Sequence, residues 1–227
     1  IKNSADLTAE DVGGTSFTIN GTQFYLNLLG NFNVYNALAS VAVASLYGIS
    51  LDVCRKALEK VAGIPGRMEI IAKEPILTVV DYAHTPEQLE KVYQSILNLK
   101  SEIANHKLIC VLGSCGGGRD KWKRPVLGRL AEKYCKEIII TNEDPYDENP
   151  LSIMKEIENG FSQMRNSYEI LDRREAIKKA FELAKEGDAV IITGKGSEPW
   201  MCVENGKKIP WDDREIAREE LKKIPKI

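Results

Sequence analysis

The sequence predicts an α/β fold built on a mostly parallel sheet covered by helices. From Arg67 onward, apolar runs of four to six residues alternate with segments of helical period. Such runs are the mark of strands buried on both faces. The residues with chemical potential, Asp81, 113–119, 142–146 and 194–198, all lie at or just past the ends of those runs. Open α/β sheets gather their ligands at that edge.

The chain before Arg67 reads differently. Two period-2 runs, Thr15–Ile19 and Thr22–Leu28, flank Asn20-Gly21, which predicts a β-hairpin. An alanine-rich helical pattern runs from Asn31 to Tyr47 and stops at Gly48. Ser50 is placed to cap a second helix, Leu51–Ala62, with Gly63 behind it. Ile64-Pro-Gly-Arg67 then breaks regular structure, and a domain boundary is expected there.

Beyond it, strands are predicted at Met68–Ala72 and Leu77–Asp81, a helix at Pro86–Leu99 and a strand at Lys107–Leu112. The glycine-rich loop 113–118 follows, with a helix from about Pro125 to Tyr134. Next come a strand at Glu137–Thr141, an acidic turn at 142–150, a helix at Leu151–Met164 and a strand at Tyr168–Ile170. Asp172 should cap the helix Arg173–Lys185, and Ala189–Thr193 is the last apolar strand. Trp200–Glu204 and Lys207–Ile209 around Asn205-Gly206 predict a closing hairpin, and Asp212 or Asp213 caps a helix Arg214–Lys223.

Composition narrows the function. Hydrophobic residues make up 43% and charged residues 28%, as in globular proteins. A formal net charge of −2, with no basic stripe, gives no reason to expect nucleic acid as a partner. No apolar run is long enough to span a membrane. Five cysteines without C-x-x-C spacing and two histidines argue against a metal site of zinc type and suit a reducing cytoplasm. Cys115, in the glycine loop, is the thiol whose reactivity invites a test.

Each motif has two readings. In 113–125 (G-S-C-G-G-G-R-D-K-W-K-R-P), glycines and then Arg119, Lys121 and Lys123 suit an anion, but Arg119-Asp120 stands where a P-loop needs Lys and Ser/Thr. Asp81 is suited to a ribose hydroxyl or to a helix cap. Asn33 and Asn36 share a helical face and suit an adenine edge or an N-cap. Arg67 suits a phosphate or a carboxylate. The acidic loop Asn142–Pro150, which carries Glu143, Asp144 and Tyr146, suits an amine or a metal, or the cap and dipole of the next helix. Gly194-Lys-Gly-Ser-Glu198 offers amides beside a carboxylate, a clamp for a zwitterion.

Taken in order, G-N-F-N-V-Y-N-A-L-A, P-G-R-M-E, V-D-Y-A-H-T-P, G-G-G-R-D-K-W-K-R-P, T-N-E-D-P-Y-D-E-N-P, G-K-G-S-E and D-D-R-E resemble the Mur ligase family. Within it, the chain is most similar to the members that add the third residue of the peptidoglycan stem peptide. The resemblance implies a Rossmann-like C-terminal domain at 67–227, preceded at 1–66 by the tail of a central ATP-binding domain. The family's P-loop and modified lysine would precede Ile1, so this chain is expected to be inactive alone, with its main catalytic residues outside it. The resemblance implies ATP-facing roles for Asn33, Asn36, Arg67, Asp81 and Lys121. It implies amino-acid binding by Arg119, Glu143, Asp144, Tyr146, Gly194 and Glu198.

The implied substrates are ATP with Mg²⁺, a UDP-MurNAc-dipeptide and a free amino acid, handled by a cytoplasmic monomer. Diaminopimelate-adding members carry D-N-P-R where this chain has Glu143-Asp-Pro-Tyr146. Tyrosine cannot clasp a distal carboxylate as a guanidinium does, and Asp144 adds a negative group, so lysine or ornithine is the expected third residue. Other ligases of this fold, such as folylpolyglutamate or cyanophycin synthetase, and a non-catalytic amino-acid or nucleotide sensor are the competing readings.

Overall fold

A computed structural model describes residues 7–13, 15–100, 107–162 and 166–224. The chain divides into two compact units, 1–64 and 65–227.

In the first unit, β1 (Glu10–Gly13), β2 (Ser16–Ile19) and β3 (Thr22–Tyr25) form an antiparallel sheet. Asn20 and Gly21 both take positive φ (46° and 76°), as a two-residue hairpin turn of this hand requires. The turn sets the register that pairs Phe17 with Phe24, whose rings stack at 5.1 Å. Helices α1 (Phe32–Leu46) and α2 (Leu51–Leu58) complete the unit, with Val34, Ala37, Val41 and Cys54 buried beside those rings. Ser50 caps α2 by accepting from Val53 N–H. The helix ends at Leu58, short of the predicted Ala62.

The second unit carries a six-stranded sheet in the order β4-β5-β9-β6-β7-β8. Its strands are β4 (Glu69–Ala72), β5 (Leu77–Asp81), β6 (Leu108–Leu112), β7 (Glu137–Thr141), β8 (Ser167–Ile170) and β9 (Ala189–Thr193). All neighbours pair in parallel except the edge strand β4, which runs antiparallel to β5. The mixed α/β fold with a mostly parallel sheet is therefore as the sequence predicts. Every residue of β6, β7 and β9 is buried, and Ile109, Val111, Ile139, Val190 and Ile192 lie in the main apolar cluster. Burying one such side chain contributes roughly 1.5–3 kcal/mol, so these central strands anchor the loops at their ends.

Helices α3 (Pro86–Lys100), α4 (Lys123–Tyr134), α5 (Pro150–Glu158), α6 (Arg173–Leu183) and α7 (Asp213–Lys223) pack around the sheet, and β10 (Trp200–Val203) and β11 (Lys207–Pro210) form the closing hairpin. Helix α4 starts two residues before the expected Pro125, at Lys123. Helix α5 ends at Glu158, and the predicted end at Met164 lies outside the described residues. Asp172 caps α6 through Glu175 N–H, and Asp212 caps α7. Among the described residues no helix is long and apolar enough to cross a membrane.

Candidate functional site

Strands β5, β6, β7 and β9 run in parallel and end on one edge, so the loops after Asp81, Leu112, Thr141 and Thr193 converge there. They enclose a cavity of about 320 Å³. Tyr82 and His84 line it from the first loop, Arg119 and Lys123 from the second, Glu143, Asp144 and Tyr146 from the third, and Gly194 and Glu198 from the fourth.

The glycine loop owes its glycines to the neighbouring loop. A Cβ on Gly116 would lie 2.1 Å from Pro145 O, and one on Gly117 would lie 2.7 Å from the Tyr146 ring. On Gly113 it would lie 2.6 Å from Glu143 Cβ. The close approach expected at these glycines is thus to the 143–146 loop, at residues only glycine leaves room for. Arg124, fully buried, fastens the same loop. It donates to Cys115 O at 3.1 Å and to carboxylates of Glu148 and Glu156 at 3.1 and 2.8 Å.

Two carboxylates in the cavity are already matched by a resident cation. Lys195 Nζ lies 2.6 Å from Asp144 Oδ2 and 2.6 Å from Glu198 Oε2. Burial works against the Lys195 charge, but the hydrogen bonds to Asp144 and Glu198 outweigh it and hold its pKa up. Asp144 Oδ1 also accepts Cys202 N–H at 2.6 Å, which ties β10 to the site. Tyr82 donates its hydroxyl to Glu198 Oε1 at 2.8 Å. Burial, then Glu198, pushes that phenol up to about 12.

Glu143 is the exception among these acids. It is 3% exposed, and its Oε2 is buried with no hydrogen-bond partner. Burial pushes its carboxyl up to about 7, against the pull of Arg173. Glu143 lines the cavity, and its unused oxygen is enclosed against Gly194 and Gly113, a buried polar atom of the kind that gathers at functional sites. The thiol of Cys115 is held inert nearby: burial, then Glu143, pushes it up to about 11.

The amino-acid set read from the sequence, Arg119, Glu143, Asp144, Tyr146, Gly194 and Glu198, therefore lines one cavity. Lys121 does not line it; its ammonium pairs with Glu148 at 3.0 Å. Asp81 has both oxygens engaged, by Met68 N–H and Ala83 N–H at 2.7 Å each. Neither amide belongs to a helix, so Asp81 is not the helix cap that the sequence offered as one of its two uses. The guanidinium of Arg67 stacks 4.3 Å from the Tyr82 ring centre. In the first unit, Asn33 donates to Leu29 O at 2.7 Å and accepts from Asn36 at 3.0 Å on α1.

One ground for expecting lysine or ornithine is weakened. Asp144 is not a free negative group, because it shares Lys195 with Glu198; the other ground, Tyr146 in place of arginine, stands. Sequence reasoning passed over Lys195, Tyr82 and Arg173. Their partners lie up to 116 residues away, and no spacing rule reaches that far.

Residues 66–196 match the family described as Mur ligase, glutamate ligase domain.

The chain belongs to the Mur ligase family.

A relative from Halalkalibacterium halodurans is 39% identical over 98% of this chain and 46% of its own length. One from Aquifex aeolicus is 41% identical over 88% of this chain and 40% of its own. Both are named UDP-N-acetylmuramoyl-L-alanyl-D-glutamate--2,6-diaminopimelate ligase. A solved structure of a ligase with that name, 33% identical, superposes with a TM-score of 0.64 over 97% of this chain and 46% of that one. This Mur ligase chain thus spans about half the length of the relatives it matches. A folylpolyglutamate synthase from Mycobacterium tuberculosis shares the fold at 22% identity and a TM-score of 0.59.

Proposed function

We propose that this chain is the amino-acid half of an ATP-dependent amide ligase. The parent protein would join a third residue to UDP-MurNAc-L-Ala-D-Glu during peptidoglycan synthesis, in the cytoplasm and as a monomer. On this reading residues 1–66 are the end of the central ATP-binding domain and 67–227 the C-terminal domain. The observation that carries the proposal is the cavity at the sheet edge, where Arg119, Glu143 and Glu198 meet. It offers a cation for a carboxylate and acidic side chains for an ammonium, the two ends of a free amino acid.

In the reaction ATP phosphorylates a carboxylate of the UDP-linked peptide, giving an acyl phosphate and ADP. The amine of the held amino acid attacks that carbon, and the tetrahedral adduct expels phosphate and leaves an amide. The contribution of this chain is proximity: a bound, oriented amine replaces one drawn from solution. Asn33, Asn36, Arg67, Asp81 and Lys121 are the proposed ATP-side residues. Asp81, with both oxygens engaged, would act there chiefly by shaping the backbone at Met68 and Ala83. Among the described residues no group of three or more His, Cys, Asp or Glu is arranged to hold a metal. Mg²⁺ would arrive with the nucleotide.

The third residue is proposed to be a diamino acid. The relatives' names favour diaminopimelate, while Tyr146, which lacks the charge of arginine, favours lysine. Incubating the parent protein with the UDP-dipeptide, ATP and a panel of meso-diaminopimelate, lysine, ornithine and glutamate tests both. An amide product with a diamino acid supports the reading; no amide product with any of the four would end it. The 227-residue chain alone is expected to release no ADP from ATP.

A further inference from the structure

Arg173 lines no wall of the cavity, yet it bonds to two strands that share no hydrogen bond with each other. In the sheet, β6 stands between β9 and β7. Arg173 is the first residue of α6, and its side chain is fully enclosed. One terminal nitrogen, Nη2, donates to Thr193 O at 2.7 Å, at the end of β9. The other, Nη1, donates to Asn142 O at 3.3 Å, just past β7. Nε and Nη2 also grip the two oxygens of Asp213, at 2.9 and 2.7 Å. Asp213 is itself fully buried and takes the Trp211 indole N–H at 2.8 Å. A guanidinium presents its donors in fixed directions, so this set of bonds fixes angles as well as distances.

The residues that follow Thr193 and Asn142 are Gly194 and Glu143, which both line the cavity. They are in contact: a Cβ on Gly194 would fall 1.8 Å from Glu143 Oε2. We propose that Arg173 is a positioning residue, which reaches across β6 to set the spacing of Gly194 and Glu143 and supplies the buried countercharge to the Glu143 carboxyl. The proposal deepens the reading of this cavity as an amino-acid site and rests on that reading only for its effect on substrate.

Charge and geometry can be separated here. Glu143 is faced by Arg173 from α6, Lys123 from α4, Asp144 on its own loop, Lys195 from the loop after β9 and Cys115 from the glycine loop. Of the cations, Arg173 pulls hardest against the burial that raises the Glu143 carboxyl. Arg173→Lys keeps the charge and loses the fork. Arg173→Met combined with Asp213→Asn removes both charges and strands neither.

The test uses the 227-residue chain without ligand. Carbon-13 NMR follows the Glu143 carboxyl against pH, and amide hydrogen exchange follows Glu143 and Gly194. The wild-type titration is expected near 7. The double variant should raise it, because Arg173 is the cation that most lowers the Glu143 carboxyl, while Arg173→Lys should leave it close to the wild-type value. Arg173→Lys should speed exchange at Glu143 and Gly194 by about tenfold or more, with Ile139 and Ile191 unchanged. An unshifted Glu143 titration in the double variant, or wild-type exchange at Glu143 and Gly194 in Arg173→Lys, would overturn the proposal, and the exchange readout decides it if the double variant does not fold. Calorimetry with meso-diaminopimelate and L-lysine is a separate arm. If the wild type binds neither, the amino-acid reading fails while the two ligand-free readouts still judge Arg173.

Discussion

Lys195 and Asp144 form a buried ion pair that joins two of the four loops around the cavity. The ammonium, with a side chain 1% exposed, sits 2.6 Å from the carboxylate. Asp144 holds its place at a φ of 40°, a left-handed conformation that non-glycine residues seldom adopt. The pair, and the bond from Cys202 N–H, hold it there. Lys195→Met would leave Asp144 buried and uncompensated, at a cost of about 3 kcal/mol in urea unfolding. A loss under about 1 kcal/mol would mean that the pair is solvated and its partner bonds dispensable.

Stability should fall as pH rises toward neutrality, and Glu143 is the group responsible. Folding raises its carboxyl from 4.5 to about 7, so the folded state holds the proton more tightly. That contribution is full below about pH 4.5 and is lost as pH rises through 7. The span is worth about 3 kcal/mol. Glu143→Gln, which stays neutral, should flatten the stability profile over that window and be the more stable protein at pH 8. Denaturant midpoints at a series of pH values measure this, and parallel profiles for the two proteins would refute it.

Glycine substitutions should sort by what a methyl group would meet. Gly194→Ala drives a Cβ into Glu143 at a φ of 107°, and Gly116→Ala drives one into the Pro145 carbonyl. Both should distort the cavity and lower the melting temperature markedly. Gly118→Ala meets nothing within 4 Å and carries only the strain of a φ of 78°, about 1 kcal/mol. Thermal melts of the three variants rank them, and a Gly118→Ala protein less stable than the other two would contradict the geometry.

Cys115 should resist alkylation. Burial and the Glu143 carboxyl push its thiol up to about 11, so little thiolate exists near neutral pH. Iodoacetamide at pH 7.5 followed by mass spectrometry should leave Cys115 unmodified in the folded chain. Rapid labelling there would place the thiol in a more open and more positive setting than the structure gives it.

Much of this fold is legible in local pattern. Asn20-Gly21 and Asn205-Gly206 each take the paired positive φ values of a tight hairpin turn, and Ser50 and Asp172 cap the helices they precede. These are short-range effects, visible within a few residues. The convergence of four loops on one edge is legible too, because parallel strands must all end on the same side. What sequence does not show is which charges neutralise each other. Asp144 reads as a free acid until the fold brings Lys195 to it, and Asp81 reads as a ligand group until Met68 and Ala83 occupy it. Arg173 and Asp213, 40 residues apart, look like ordinary residues at two helix starts.

The cavity is proposed to hold the amino acid and not the nucleotide, and Arg119 is the residue that separates the two. In the parent protein, Arg119→Ala should raise KM for the diamino acid by about tenfold or more, the loss of one charge-assisted contact, and leave KM for ATP unchanged. A variant in which KM for ATP rises while that for the amino acid stays put would put the nucleotide in the cavity instead.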